Sequence, residues 1–317
     1  MRRLLVKLTD SRLLAIIACL LWSTAFLGIK TGLQYLSPLL FAGIRFFLAG
    51  VAVAFVSRKP GYWHQIRSHF RTILLVGLFQ TFMLYSFFYL ALDNMRGSTG
   101  AIVNGMGPLV TALIAHFFLP GDRLNARRTI SMILGVFSVF LITWSGVSAS
   151  GTAINESRGI ALMMFSLVAN AAAMVLVAKT SDELDPFILN SAQLMVGGIM
   201  LVASGLVTGL VSGNLPDQWP PFIFYMALIW LVCVSSIGFS IWYYLLKIRK
   251  EPVSHVTVWK FLVPVSGSIL SWIFMKNDSP DFPSLCGMVL TAIAITLFYS
   301  KKAVASNVGK KIVEEKA

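Results

Sequence analysis

Residues 98–122, STGAIVNGMGPLVTALIAHFFLPGD, and residues 254–278, SHVTVWKFLVPVSGSILSWIFMKND, decide the fold. Each residue of the second stretch stands 156 positions after its counterpart in the first. Ser98 thus matches Ser254, Pro108-Leu109 matches Pro264-Val265, Phe118 matches Phe274 and Asp122 matches Asp278. Both stretches approach the ~20 apolar residues that a helix needs to cross a bilayer core. Further out, a second correspondence runs at an offset of 148. It sets Ser37-Pro38 on Asp185-Pro186, Arg45 on Gln193 and Gly50 on Gly198. The change of offset falls in the loop 212–220, which is longer in the second half. The chain reads as one unit written twice.

Composition names the solvent. The chain has 317 residues, 57% of them apolar and 12% charged, with a mean hydropathy of +0.78. Soluble domains carry roughly a quarter charged residues, so an ordinary soluble enzyme is excluded. An all-α membrane protein is expected, with ten apolar runs at 13–33, 38–57, 72–92, 98–119, 129–147, 159–179, 186–211, 221–247, 253–275 and 283–300. The N-terminal MRRLLVKLTDSR has the charge of a signal-peptide start. The apolar run behind it is longer than a signal core and ends in no small-x-small cleavage site, so it reads as an uncleaved first span.

The net charge of +13 would suggest nucleic acid if it covered one surface. Instead the basic residues lie in short segments between apolar runs. With both termini in the cytoplasm, 20 Lys and Arg fall on the inner side and 4 on the outer, the latter being Lys30, Arg96, Arg158 and Lys276. Basic loops resist translocation, so this is the expected topology. Five spans per repeat is an odd number, which inverts the second repeat relative to the first and places a substrate site near the midplane between them. The units are a first repeat at 1–148, a second at 159–303 and a basic cytoplasmic tail at 304–317. The partners expected are the lipid bilayer of the inner membrane, a small-molecule substrate and a second copy of the chain in a homodimer; nucleic acid is not expected.

Polar groups inside the spans nominate the site. A proline removes the hydrogen bond to the carbonyl four residues earlier. For Pro108 and Pro264, read as hinge or kink positions, those carbonyls belong to Asn104 and Lys260. Freed carbonyls at that depth need a protein or water partner, so they either meet a neighbouring hydroxyl or line a cavity. The matched pair favours the cavity. Arg45 and Lys260 are the two basic residues within spans, and a charge there costs a few kcal/mol. Arg45 reads equally as a binding group and as a structural tie, whereas Lys260, with Trp259 and Phe261 beside it, reads as a substrate contact. Tyr85, Tyr89, Trp242 and Tyr243 form repeat-matched aromatic clusters and are candidate cavity walls.

All 13 carboxylates fall in termini, loops or span ends. Carriers of organic cations rely on a buried acid, so a neutral, zwitterionic or anionic cargo fits better. If protons are coupled, His116 and His255 are the carriers that remain. No nucleotide fingerprint, zinc set or acid–base constellation is present, so no cofactor, metal or catalytic residue is expected. Cys19, Cys233 and Cys286 read as small apolar side chains.

An ordered set of motifs then resembles the EamA-type carriers of the drug/metabolite transporter superfamily. In the first repeat it comprises Leu21-Trp22-Ser23, Pro38 with Ile44-Arg45-Phe46, Tyr89-Leu90-Ala91-Leu92, Pro108-Leu109 and Asp122-Arg123-Leu124 ahead of Gly135. In the second it comprises Trp242-Tyr243-Tyr244-Leu245, Val263-Pro264-Val265 and Cys286-Gly287. The resemblance implies two inverted five-helix repeats and a secondary transporter, often an exporter of amino acids or related metabolites. It also implies a cavity lined by spans 1 to 4 and 6 to 9. A non-transporting assembly component or a lipid-related intramembrane protein is the alternative, and it would leave the mid-span prolines and Lys260 without a role.

Overall fold

The structure is a computed structural model that describes residues 10–58, 60–92, 94, 100, 103–143, 155–180, 183–213, 219–274 and 282–300. Ser98, Asp278, the loop lysine Lys276 and the tail 304–317 lie outside the described residues. Among those described, every regular element is helical. A bilayer offers backbone groups no water, and a helix satisfies them within one segment.

The helices in chain order are α1 (Ser11–Gly32), α2 (Pro38–Ser57), the short α3 (Tyr62–Ser68) and α4 (Phe70–Leu92). There follow α5 (Gly107–Phe118), α6 (Ala126–Thr143), α7 (Glu156–Lys179), α8 (Pro186–Ser212) and α9 (Phe222–Lys247). Next is α10, made of Val253–Thr257, a 3-10 turn Val258–Phe261 and Leu262–Phe274; α11 (Phe282–Tyr299) closes the series. Seven of them, α2, α4 and α7 to α11, have stretches long and apolar enough to cross a membrane. Polar side chains fix several starts. Asp10 accepts from the Arg12 N–H at 2.8 Å, Asn155 from Arg158 at 3.1 Å and Asp185 from Phe187 at 2.9 Å, each occupying a donor that the first turn leaves unpaired.

Two helix pairs carry the packing. α2 lies against α8 with their backbones in contact at the repeat-matched glycines: a Cβ on Gly50 would sit 2.7 Å from the Ser191 carbonyl oxygen, and one on Gly198 would sit 2.6 Å from the Phe47 nitrogen. In a bilayer, where apolar contact alone does not drive helices together, such close approach supplies the dispersion attraction. α6 and α11 are joined by hydroxyls: Ser131 donates to the Ala294 carbonyl at 2.6 Å, Ser284 donates to the Ile142 carbonyl at 3.0 Å, and Thr291 and Ser138 pair at 2.9 Å.

Two local departures matter. Residues 77–83 of α4 form a π-turn, whose extra residue carries Gln80 and Thr81 into the interior. Around Pro108 the span is interrupted: residues 103–105 are helical, Met106 is a turn and a new helix starts at Gly107. The Met106 N–H bonds the Val103 carbonyl at 3.0 Å, and Pro108 lies in the first turn of a new helix. A proline is at home there because that N–H would have no intrahelical partner.

Candidate functional site

The candidate site centres on α10. Its first turn is pinned from the α5–α6 loop, where buried Asp122 accepts from the Ser254 N–H at 2.7 Å and from the Ser254 hydroxyl. Its far side is pinned by α11. The Tyr299 hydroxyl donates to the His255 carbonyl and accepts from the Trp259 indole N–H at 2.8 Å. The 3-10 turn follows, and Lys260 stands within it. The Leu262 N–H bonds the Trp259 carbonyl and closes that turn.

Lys260 reaches from this turn toward α1 and α9. Its ammonium lies 5.0 Å above the Trp242 ring and 5.5 Å above the Trp22 ring, and the two indoles are 4.9 Å apart. Buried Cys19 stands one turn before Trp22, on the same face of α1. The rings next to Lys260 in sequence point elsewhere: Trp259 toward Tyr299, and Phe261 into the space that a side chain at Gly135 would fill. Neighbours in a helix diverge by about 100° around the axis, so adjacency in sequence is not adjacency in space.

Arg45 forms a second cationic point. It is 4% exposed, with its guanidinium 4.2 Å above the Phe46 ring and 5.7 Å from the Tyr85 ring of α4. Its Nε and Nη1 have no hydrogen-bond partner. The guanidinium therefore does not snorkel to water. Tyr85 packs 4.4 Å from Phe46 and 6.5 Å from Tyr89. The two cationic points are joined by rings, since Phe239 lies 6.3 Å from Phe46 and 5.6 Å from Trp22.

The remaining candidates divide. Trp242, Tyr243 and Tyr89 belong to the main apolar core, and only Trp242 of these three meets Lys260. The Tyr243 hydroxyl is buried without a partner. Asn104 is exposed. His116 accepts from the Leu124 N–H at 3.0 Å and so ties down the α5–α6 loop. The His255 ring packs edge-on against Phe298 and Tyr299. A cavity of about 220 Å³ opens beside Asp122, Lys247 and Pro252, and neither Lys260 nor Arg45 lines it.

Sequence reasoning missed a buried polar chain. Thr81 donates to Gln193 at 2.8 Å, Gln193 to Asn190 at 3.2 Å and Asn190 to Ser240 at 3.0 Å, linking α4, α8 and α9. Gln80 reaches Asn170 of α7 at 3.3 Å. The signal available in the sequence is four amides inside apolar runs, Gln80, Asn170, Asn190 and Gln193.

With the geometry in hand, known proteins give a context. The model of the EamA-like transporter family matches residues 11–144 and 157–300. An uncharacterized transporter, YvbV of Bacillus subtilis (strain 168), is 25% identical over 96% of this chain and 98% of its own length. One of Archaeoglobus fulgidus is 26% identical over 93% and 99% respectively. A probable amino-acid metabolite efflux pump of Escherichia coli (strain K12) is 25% identical over 41% of each chain. A solved crystal structure superposes with a TM-score of 0.72 at 18% identity, covering 95% of this chain and 98% of that one, a likeness of fold alone. The chain belongs to the EamA-like transporter family of the drug/metabolite transporter superfamily, and is a multi-pass membrane transporter.

Proposed function

We propose that the protein is a secondary carrier of the inner membrane that exports a small metabolite by alternating access. Ten spans, built as two inverted five-helix repeats with both termini cytoplasmic, suit that role. The asymmetry of basic residues and the repeat-matched motifs support this arrangement. The cargo is neutral, zwitterionic or anionic, and an amino acid or derivative is the first class to examine, since one relative is named for amino-acid metabolites.

One observation carries the site. The Lys260 ammonium is held over two indole faces and has no carboxylate partner among the described residues. Cation–π contacts contribute about 0.5–2 kcal/mol, whereas desolvating an ion costs several. An ammonium so placed remains available to an arriving negative group. Arg45, Tyr85 and Tyr89 line the same aromatic region. Untargeted profiling of medium and cytosol, with and without the protein in the host membrane, tests the carrier reading. It predicts a compound depleted inside and enriched outside only when the protein is present; identical profiles in several hosts would contradict it.

A further inference from the structure

The first piece of α10 stands between Lys260 and the basic loop 248–252, and it is held unlike the rest of the helix. Val253–Thr257 is five residues long and is set off from Leu262–Phe274 by the 3-10 turn Val258–Phe261. A 3-10 stretch within a helix has poorer hydrogen-bond geometry and often marks a hinge. The bonds that hold the piece come from other elements. Asp122, in the α5–α6 loop, accepts from the Ser254 N–H at 2.7 Å and from the Ser254 hydroxyl. Tyr299 of α11 donates to the His255 carbonyl and accepts from the Trp259 indole. The Arg12 guanidinium of α1 lies 4.8 Å above the Tyr299 ring.

Two observations mark this position as one of two. On the same piece, His255 Nε2 and the Thr257 hydroxyl are buried with no hydrogen-bond partner. Keeping such an atom dry costs about as much as one of the holding bonds contributes, so water that reaches both offsets much of what is lost at Asp122 and Tyr299. The piece also borders open space. A cavity of about 220 Å³ has Asp122, Glu251, Pro252 and Val253 on its wall, with Leu119, Ala178 and Lys247 from the ends of α5, α7 and α9. The side chains around Lys260, among them Cys19, Trp22 and Trp242, belong instead to the packed core.

Resting on the carrier reading and the topology above, we infer that Val253–Thr257 is the cytoplasmic gate of the transport path, hinged at Val258–Phe261 and latched by Asp122 and Tyr299, and that the cavity is the inner mouth which it closes. Moving the piece away from the α5–α6 loop frees Ser254, wets His255 and Thr257, and opens the way to Lys260, about 10 Å along the helix from Val253. Asp122 holds the closed state and does not touch the cargo; Lys260 meets the cargo once the gate is open.

Cys19 reports the opening. It is fully buried, one turn from the Trp22 whose ring faces Lys260, and it becomes the sole thiol once Cys233 and Cys286 are replaced by alanine. Inside-out and right-side-out vesicles carrying this full-length protein are treated with a sulfonate-bearing methanethiosulfonate, which does not cross the bilayer, and modification of Cys19 is followed in time. Asp122→Ala and Tyr299→Phe should each speed modification about tenfold in inside-out vesicles only, the effect of a lost hydrogen bond on an opening equilibrium. Asp122→Asn, which keeps an acceptor, should fall between wild type and Asp122→Ala. Unchanged rates in both Asp122→Ala and Tyr299→Phe overturn the gate assignment. So does equal acceleration from the two faces, as general loosening of the fold gives, or acceleration from the outer face alone. Those outcomes leave the carrier reading standing. That reading fails separately if proteoliposomes loaded with a broad metabolite extract exchange nothing.

Discussion

An ammonium resting between two indole faces has attraction without neutralisation, and that is the condition a transport site needs: a partner must bind, and must also leave. Each ring contributes on the order of 1 kcal/mol. Replacing Trp22 by leucine should therefore raise the apparent KM for the exported compound about fivefold with little change in membrane level, and phenylalanine should cost less. An unchanged KM in Trp22→Leu would remove the indole from the site. Lys260 was legible in the sequence because a charge inside an apolar run has few inexpensive explanations. Trp22 was visible only as part of a family motif. Trp259, nominated by adjacency to Lys260, turns instead to Tyr299. Which way a ring points depends on the neighbouring helices, which composition does not encode.

The element that organises the site is α10, a helix held at both flanks and interrupted where Lys260 sits. Its start depends on Asp122, which accepts two hydrogen bonds from Ser254. Asp122→Ala strands both donors and should lower stability by about 1–3 kcal/mol, seen as a lower melting temperature in detergent. Asp122→Asn keeps one acceptor oxygen and should lose less. Equal melting of wild type and the alanine variant would mean that the cap is dispensable. Pro264 announced an interruption in this helix, and the structure adds the 3-10 turn just before it. The π-turn of α4 gave no such notice. It is set by the approach of Gly77 and Thr81 to α8, a tertiary contact that no local pattern of α4 reveals. Pro108 also lies beside an interruption, the turn at Met106, where it takes a place in the first turn of the next helix.

At the scale of the molecule, hydropathy carries the reading furthest. The bilayer imposes a length and an apolar composition on each span before any side chain finds its neighbour. Seven helices meet both criteria among the described residues. The glycine seam between α2 and α8 was foreshadowed by the match of Gly50 to Gly198, because close backbone approach requires small residues whatever surrounds them. The polar chain through Gln193 was not foreshadowed, as amides betray themselves less than charges do. If the second repeat is inverted, an alkaline phosphatase fusion after residue 150 will be active and one after residue 317 inactive, with a fluorescent-protein fusion showing the reverse pattern. Phosphatase activity at both points would break the five-plus-five arrangement.

The most direct measurement of the central claim compares wild type with Lys260→Ala at equal membrane levels, profiling metabolites in medium and cytosol. A compound that wild type moves, and that the variant leaves inside the cell, is the predicted result. Transport of that compound at an unchanged rate by Lys260→Ala would contradict the account.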